Sequence, residues 1–541
     1  MRTEPRGRVG ARQRSLALVA VLGLLGAGCG ESKKVGDAGF IQGFVGGVAT
    51  DEPRAAIVGR DILSRGGTAA DAASAMYFTL AVTKPSAASL GAVGGCVYYD
   101  GPNKSFSAFD FTPQPALPAP GGRPLIASPA AVRGMAALQA RHGVLPWGEL
   151  VGPAEALARF GHAVSRSLAT DLAARADELA RDPQMLRTFG RPGGGFVREG
   201  EQVRQLELAA TLSQIRQNGA GALYGGALAH AYVDAVTAIG GSLPIETVRA
   251  TVPRALDPIL RPAGDNLIAF LPTVTSAGPQ QARLWRILGE EGALERASRD
   301  ARLHVVAEAS VLAHAEFAKL ARQPGADIDA FDEAAVARLD QRFKAFDAGK
   351  AQSVDAWLEG VNPIPSEISG TSLVAVDRQG SAAACGFTLY RAFGAGRLLP
   401  GLGVTPALLP PPGVVSGALG PIVVGNKFTG NFFLALGGAG AGTSTTLVTI
   451  AARTLLGGES INEAVGTPRF SRGGGPTTVF VEKDVGQESQ AALKARGYLL
   501  EPSEPIGLVN AAFCERGLPR NESACDVRTD WRGHGLAASA Q

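Results

Sequence analysis

Apolar side chains between Glu52 and Val82 return at helical spacing. The pair Gly66-Gly67 interrupts them, and with Thr68 just behind it this pair ends one helix and starts a second. The second is poor in bulky residues, and its run Ala69-Ala70-Asp71-Ala72-Ala73-Ser74-Ala75 suits close backbone packing. A glycine-rich passage from Gly91 to Gly95 leads into a strand over 96–100, and residues 101–124 read as a proline-rich surface connection. From 128 to 350 the pattern is mainly helical, with helices expected over 130–142, 168–181 and 301–321 and a strand-like break near 266–271. After Pro363-Ile364-Pro365 the texture changes to short strands. Residues 372–377, the turn Arg378-Gln379-Gly380 and residues 381–390 predict a hairpin. A proline-bearing loop over 391–418 follows, then strands over 421–424 and 431–436, the glycine loop 437–442 and a helix over 443–455.

Composition makes this a globular chain: 541 residues, 45% hydrophobic and 19% charged, enough for a large core. The start is different in kind. Five arginines up to Arg14 precede an apolar run from Leu16 to Leu25, which ends in Gly26-Ala27-Gly28-Cys29. That run is shorter than the ~20 residues of a bilayer span, so it reads as an export signal. Its final cysteine resembles that of a bacterial lipoprotein, with 1–28 as the signal, Cys29 as the lipidated anchor and 29–44 as a tether, facing the periplasm from the cell envelope. An ordinary secretory signal is the alternative. Residues 1–28 take away five arginines and one glutamate, so the net charge of +3 becomes −1 in the mature chain. A nucleic-acid partner needs a concentrated basic face, and none is implied.

An oxidising compartment permits disulfides among Cys96, Cys385, Cys514 and Cys525. Cys514 and Cys525 flank a loop rich in Gly, Pro and Asn and are expected to pair, whereas Cys96 and Cys385 lie in apolar strand-like runs that suit buried free thiols equally well. The six histidines are scattered without metal-ligand spacing, so no metal site is implied.

Several stretches carry a resemblance, in order along the chain. The most specific is Gly59-Arg60-Asp61-Ile62-Leu63-Ser64-Arg65-Gly66-Gly67-Thr68-Ala69-Ala70-Asp71-Ala72-Ala73, followed by Pro85 and Gly94-Gly95-Cys96. Further stretches are Leu223-Tyr224-Gly225-Gly226, Ala307-Glu308-Ala309, the hairpin 371–388, the loop 437–442, Glu463-Ala464 with Pro468-Arg469-Phe470, and Asp526-Val527-Arg528. Together they resemble the gamma-glutamyltranspeptidase family over roughly residues 45–535. The resemblance implies an α+β fold, the four-layer αββα sandwich of the N-terminal-nucleophile hydrolases, and a precursor that cuts itself to expose an N-terminal threonine. Residues 45–369 would then be a large-subunit-like region and 370–541 a small-subunit-like one. It also implies a gamma-glutamyltransferase or gamma-glutamyl hydrolase acting on a small amide, without a cofactor. A terminal threonine has its own amine as a nearby base and forms an acyl-enzyme that water or an amine resolves, while backbone amides of a glycine-rich turn stabilise the oxyanion.

Against that pattern the chain departs at the nucleophile. Counted back from Asp377, the position of the family's nucleophilic threonine is Gly370, and Thr371 stands where the second residue of a Thr-Thr pair would be. The supporting threonine matches Thr388. A one-residue slip in a strand turns a side chain to the other face, unless a bulge near Gly370 restores it. The carboxylate-clamping arginine falls at Thr112. The residues that would hold the substrate's amino group fall at Val404-Thr405-Pro406-Ala407, and a serine pair falls near Gly417-Ala418. The oxyanion element is best kept, at Gly440 and Ala441.

Two functions follow. One is an amide hydrolase or acyltransferase in which Thr371 is the nucleophile after cleavage, Thr388 its hydrogen-bond partner and Gly440 and Ala441 the oxyanion site. The other is an unprocessed, catalytically degenerate lipoprotein that binds or supports. Thr388 has a simpler role open to it as well, satisfying a neighbouring backbone group, and Arg469 suits a structural ion pair or carbonyl cap better than a substrate clamp. A dinucleotide-binding turn at 438–442 lacks the acidic residue that should end a second strand.

Overall fold

The computed structural model describes residues 45–113, 124–298, 300–320, 349–351, 369–410, 419–472 and 477–540. The expected signal, the expected Cys29 tether and the 417–418 position lie outside these residues.

Strands of small and β-branched residues, each with alternate side chains on opposite faces, build two large sheets. In chain order they are β1 Gly46–Thr50, β2 Val93–Asp100, β3 Ser105–Phe111, β4 Arg254–Leu256, β5 Ile259–Ala263, β6 Asn266–Phe270, β7 Ser369–Asp377, β8 Ala382–Tyr390, β9 Ile422–Gly425, β10 Phe432–Ala439, β11 Leu508–Leu518, β12 Cys525–Thr529 and β13 Leu536–Ala540. The first sheet has the order β13-β1-β7-β8-β2-β3-β4 and the second β12-β11-β10-β9-β6-β5. Every pairing in both is antiparallel.

Period two sorts each strand between two cores. In β7, Val374 and Val376 face the second sheet, packing in one layer with Ala435, Val423 and Ala512. Leu373 and Ala375 face the other way, onto α1 (Pro53–Ser64) and α2 (Ala69–Thr83). On the far side of the second sheet, Val424, Leu434 and Leu436 pack on α5 (Gly278–Trp285), α6 (Arg302–Leu320) and α7 (Thr443–Leu455). The result is a four-layer αββα sandwich of α+β class. All fifteen residues of α2 are buried. The close approach anticipated from its alanines is real: a Cβ added at Gly59 of α1 would stand 2.5 Å from Met76 Sδ of α2. Two further helices, α3 (Trp147–Phe160) and α4 (Arg166–Ala174), lie over this layer's side of the molecule.

The hairpin β7-β8 and α7 stand where the sequence pattern put them. Residues 101–124 do not form a simple surface connection, because β3 occupies 105–111. Its alternating Phe109 and Phe111 fill the helix-side core and Ala108 the inter-sheet core, a period hidden among flanking prolines. The helix expected over 168–181 is two pieces, Arg166–Ala174 and Ala176–Leu179. Cys96 and Cys385 sit opposite one another on β2 and β8 and form a disulfide, as do Cys514 and Cys525 on β11 and β12. Among the described residues no helix is long and apolar enough to cross a membrane.

Asp377 locks the β7-β8 turn to α2. One carboxylate oxygen accepts from the amides of Gln379 and Ser381, and the other from Ala69 at the start of α2, at 3.0 to 3.1 Å. Burial nevertheless pushes its carboxyl up to about 6, against about 3.9 in an unfolded chain. Between those values the folded protein binds the proton more, so stability falls as pH rises from about 4 to about 6 and is then flat. The contribution is on the order of 2–3 kcal/mol. Urea midpoints measured across that window should fall more steeply in the native protein than in Asp377→Asn; parallel profiles would refute the assignment.

Candidate functional site

At the head of β7 the ladder with β8 is irregular. Thr371 pairs with Phe387 and Ser369 with Tyr390, so one residue, Gly370, faces two, Thr388 and Leu389. The extra residue is on β8, and Tyr390 ends the bulge with φ at +62°. Because the irregularity belongs to the partner strand, the alternation of β7 is not reset. Thr371 keeps the face of its partner Phe387, whose ring packs against Tyr77 in the helix-side core. Its hydroxyl is fully buried and donates to Asp51 Oδ2 at 2.7 Å. Gly370 and Ser369 instead line a cavity of about 190 Å³ at the mouth between the sheets, with Gly440 and Gly507 opposite.

Asp51, at the end of β1, is the hub of a buried polar network. Its Oδ2 also accepts from the Ser372 amide at 3.2 Å, and its Oδ1 accepts from Asn510 Nδ2 of β11 at 2.8 Å. Asn510 Nδ2 also reaches Ser372 Oγ at 2.9 Å, and Thr529 of β12 donates to Asn510 Oδ1 at 3.0 Å. Four strands from both sheets thus meet on one carboxylate and one amide. The neighbouring Glu52 caps α1 by accepting from the Ala55 amide, and burial raises its pKa from the ordinary glutamate value despite that bond.

Thr388 donates to the Ser369 carbonyl at 2.6 Å and accepts from the Tyr390 amide at 2.8 Å, so its hydroxyl stitches the bulge. Gly440 has φ at +92° and forms part of the cavity wall, and its carbonyl accepts from Thr443 Oγ1 at 2.6 Å. Ala441, next to it, is exposed and outside that wall. Gly442 follows with φ at +73° at the start of α7, where a Cβ would meet Ile506 Cγ2 at 2.6 Å. Since β10 lies in a wholly antiparallel sheet, this loop is not the turn of a parallel dinucleotide-binding unit.

The clamp position holds no cation. Thr112 is bonded to Asp110 and, at 2.6 Å, to Thr275, and Asp110 pairs with Arg254. Val404, Thr405 and Ala407 are buried, with Pro406 laddered to Gly91, so no acidic group stands there. Arg469 is structural: it pairs with Asp530 at 2.6 Å and donates to the carbonyls of Val465, Ile506 and Gly507.

Four residues of the site were not found by sequence pattern: Asp51, Asn510, Lys84 and Asp171. The last two line the cavity. Lys84 Nζ, buried at the end of α2, donates to Ser167 Oγ at 2.6 Å and Asp171 Oδ2 at 2.9 Å, both on α4. Burial alone would lower its pKa, but Asp171, Asp51 and Glu52 more than reverse this and hold it above the ordinary lysine value. Lys84 is therefore charged, which is the wrong state for a base. A lysine before a proline at a helix end carries no motif, so only the fold exposes its role.

The gamma-glutamyltranspeptidase family model matches residues 55–406 and 416–539, and the chain belongs to that family. It is 30% identical to the acylase ACY 1 proenzyme of Pseudomonas sp. (strain SE83) over 67% of this chain and 68% of that one. With the glutathione hydrolase proenzyme of Escherichia coli (strain K12) it shares 26% identity over 85% of this chain and 87% of that one. The crystal structure of cephalosporin acylase from Bacillus halodurans superposes with a TM-score of 0.75 at 20% identity, covering 92% of this chain and 96% of that one, a likeness of fold.

Removing the hub should cost more than any single contact, because Thr371, Asn510 and Ser372 would all lose a buried partner. Asp51→Ala is expected to lower unfolding free energy by about 3 kcal/mol or more. Thr371→Val, which removes one donor, should cost about 1 kcal/mol. Equal losses in denaturant titrations would argue against Asp51 as the hub.

Proposed function

We propose that this protein is an uncleaved, catalytically degenerate member of its family that holds small amides in the cavity beside Gly370, as a binding lipoprotein of the bacterial cell envelope. One observation carries the reading. The position that the resemblance gives to the nucleophile is a cavity-lining glycine, Gly370, and the hydroxyl after it, Thr371, is committed to Asp51 on the opposite face, while Ser369, which also lines the cavity, precedes that position. An acyl-enzyme needs a nucleophile within reach of the carbonyl, while binding needs the cavity alone. That relatives include an acylase and a glutathione hydrolase supports a small amide as the ligand.

A second reading, hydrolysis or transfer by Thr371, is favoured by the same 2.7 Å contact, since Asp51 is placed to take the hydroxyl proton. Cleavage before Thr371 would then divide the chain into the regions 45–369 and 370–541 to within a residue.

On a reducing denaturing gel the mature protein should run as one chain, and it should release no amine from gamma-glutamyl anilides. Gly370 lies in extended strand, where threonine is at ease, so Gly370→Thr is expected to restore self-cleavage with a fragment starting at position 370. A natural fragment starting at Thr371 would replace the first reading by the second.

The envelope location rests on the basic and apolar start that ends at Cys29, and is in keeping with two disulfides. Cells fed labelled palmitate should label the protein and leave Cys29→Ala unlabelled; label retained in Cys29→Ala would remove the anchor from the proposal.

A further inference from the structure

Within the wall of the cavity Lys84 and Asp171 are the charged residues among those described. They do not contribute equally to it. Lys84 has a side chain only 7% exposed and donates to Ser167 and Asp171. Two further carboxylates, Asp51 and Glu52, lie close enough to stabilise its charge. Asp171 is 31% exposed. Its Oδ2 accepts from both Lys84 and Ser86, and Oδ1 accepts no hydrogen bond from the described residues. The single cation is thus paired within the wall, and the more exposed of the two charged side chains is a carboxylate held in place by a lysine and a serine.

We propose that Asp171 Oδ1 receives a primary ammonium group on the bound amide, so that the cavity prefers cationic amides to those bearing a carboxylate at the same place. The inference rests on the amide-binding reading above and deepens it. An ammonium brought to Asp171 makes a charge-assisted hydrogen bond in a partly desolvated setting. A carboxylate brought there meets Asp171 directly, and Lys84, the cation of the wall, is already paired with Asp171. Lys84, Ser86 and Ser167 are positioning residues that fix the Asp171 side chain.

Three anilides of one chain length separate the charges: 4-aminobutyryl anilide carries the ammonium alone, glutaryl anilide the carboxylate alone, and gamma-glutamyl anilide both. Titration calorimetry on the full-length chain should give the 4-aminobutyryl compound a Kd about tenfold or more below that of the glutaryl compound, with the gamma-glutamyl compound between them. In Asp171→Asn the ratio should fall to about one. That variant leaves Lys84 without its partner, so the double variant Lys84→Met with Asp171→Asn, which removes both charges, should show the same loss. Glutaryl anilide binding as tightly as the ammonium compound, or a preference surviving the double substitution, overturns the inference and leaves amide binding standing. Failure of all three to bind overturns both.

Discussion

The hydrogen bond from Thr371 to Asp51 fixes the rotation of β7 about its own axis, and the chemistry of the site depends on that rotation. A strand has two faces. Once Thr371 is held against the carboxylate at the end of β1, Ser372 is turned to Asn510 and Gly370 to the cavity. Turning Thr371 toward the cavity would break the bond to Asp51 and drive Leu373 and Ala375 out of the helix-side core. The hydroxyl's placement is therefore backed by the packing of the whole strand.

The departures from the family pattern are physically coherent. On the proposed reading, different side chains at the positions that the resemblance gives to a nucleophile, a cation and two acids leave the backbone features of the site in place: the bulge stitched by Thr388, the positive φ of Gly440, and the glycine at the start of α7. These belong to the fold, because Gly442 has no room for a side chain. What was free to change was side-chain chemistry, and the electrostatic character of the cavity now comes from Lys84 and Asp171, which belong to the helical layer.

Legibility in the sequence followed the same division. The hairpin, the glycine loop and α7 were readable because turn residues and period-two alternation are local signals. The slip between Gly370 and Thr371 was readable by counting back from Asp377. Strand β3 was missed because its seven residues sit among prolines and glycines that mark a loop. The Asp51 network was missed for a different reason: its members are separated by 320 and 459 residues, and no local pattern joins a strand-end carboxylate to an asparagine in the other sheet. The bulge could not have been read either, since it lies on β8 and depends on how that strand registers with β7.

The disulfide between Cys96 and Cys385 spans the junction ahead of β7, with one sulfur on each side of it. Any cut at Gly370 would leave the two pieces covalently joined through β2 and β8, and β7 would remain laced between β1 and β8. Denaturant alone could not part such halves. A nicked molecule would keep the mass of an intact one, apart from one water, until its thiols were freed, so the redox state of the sample decides whether scission can be seen at all.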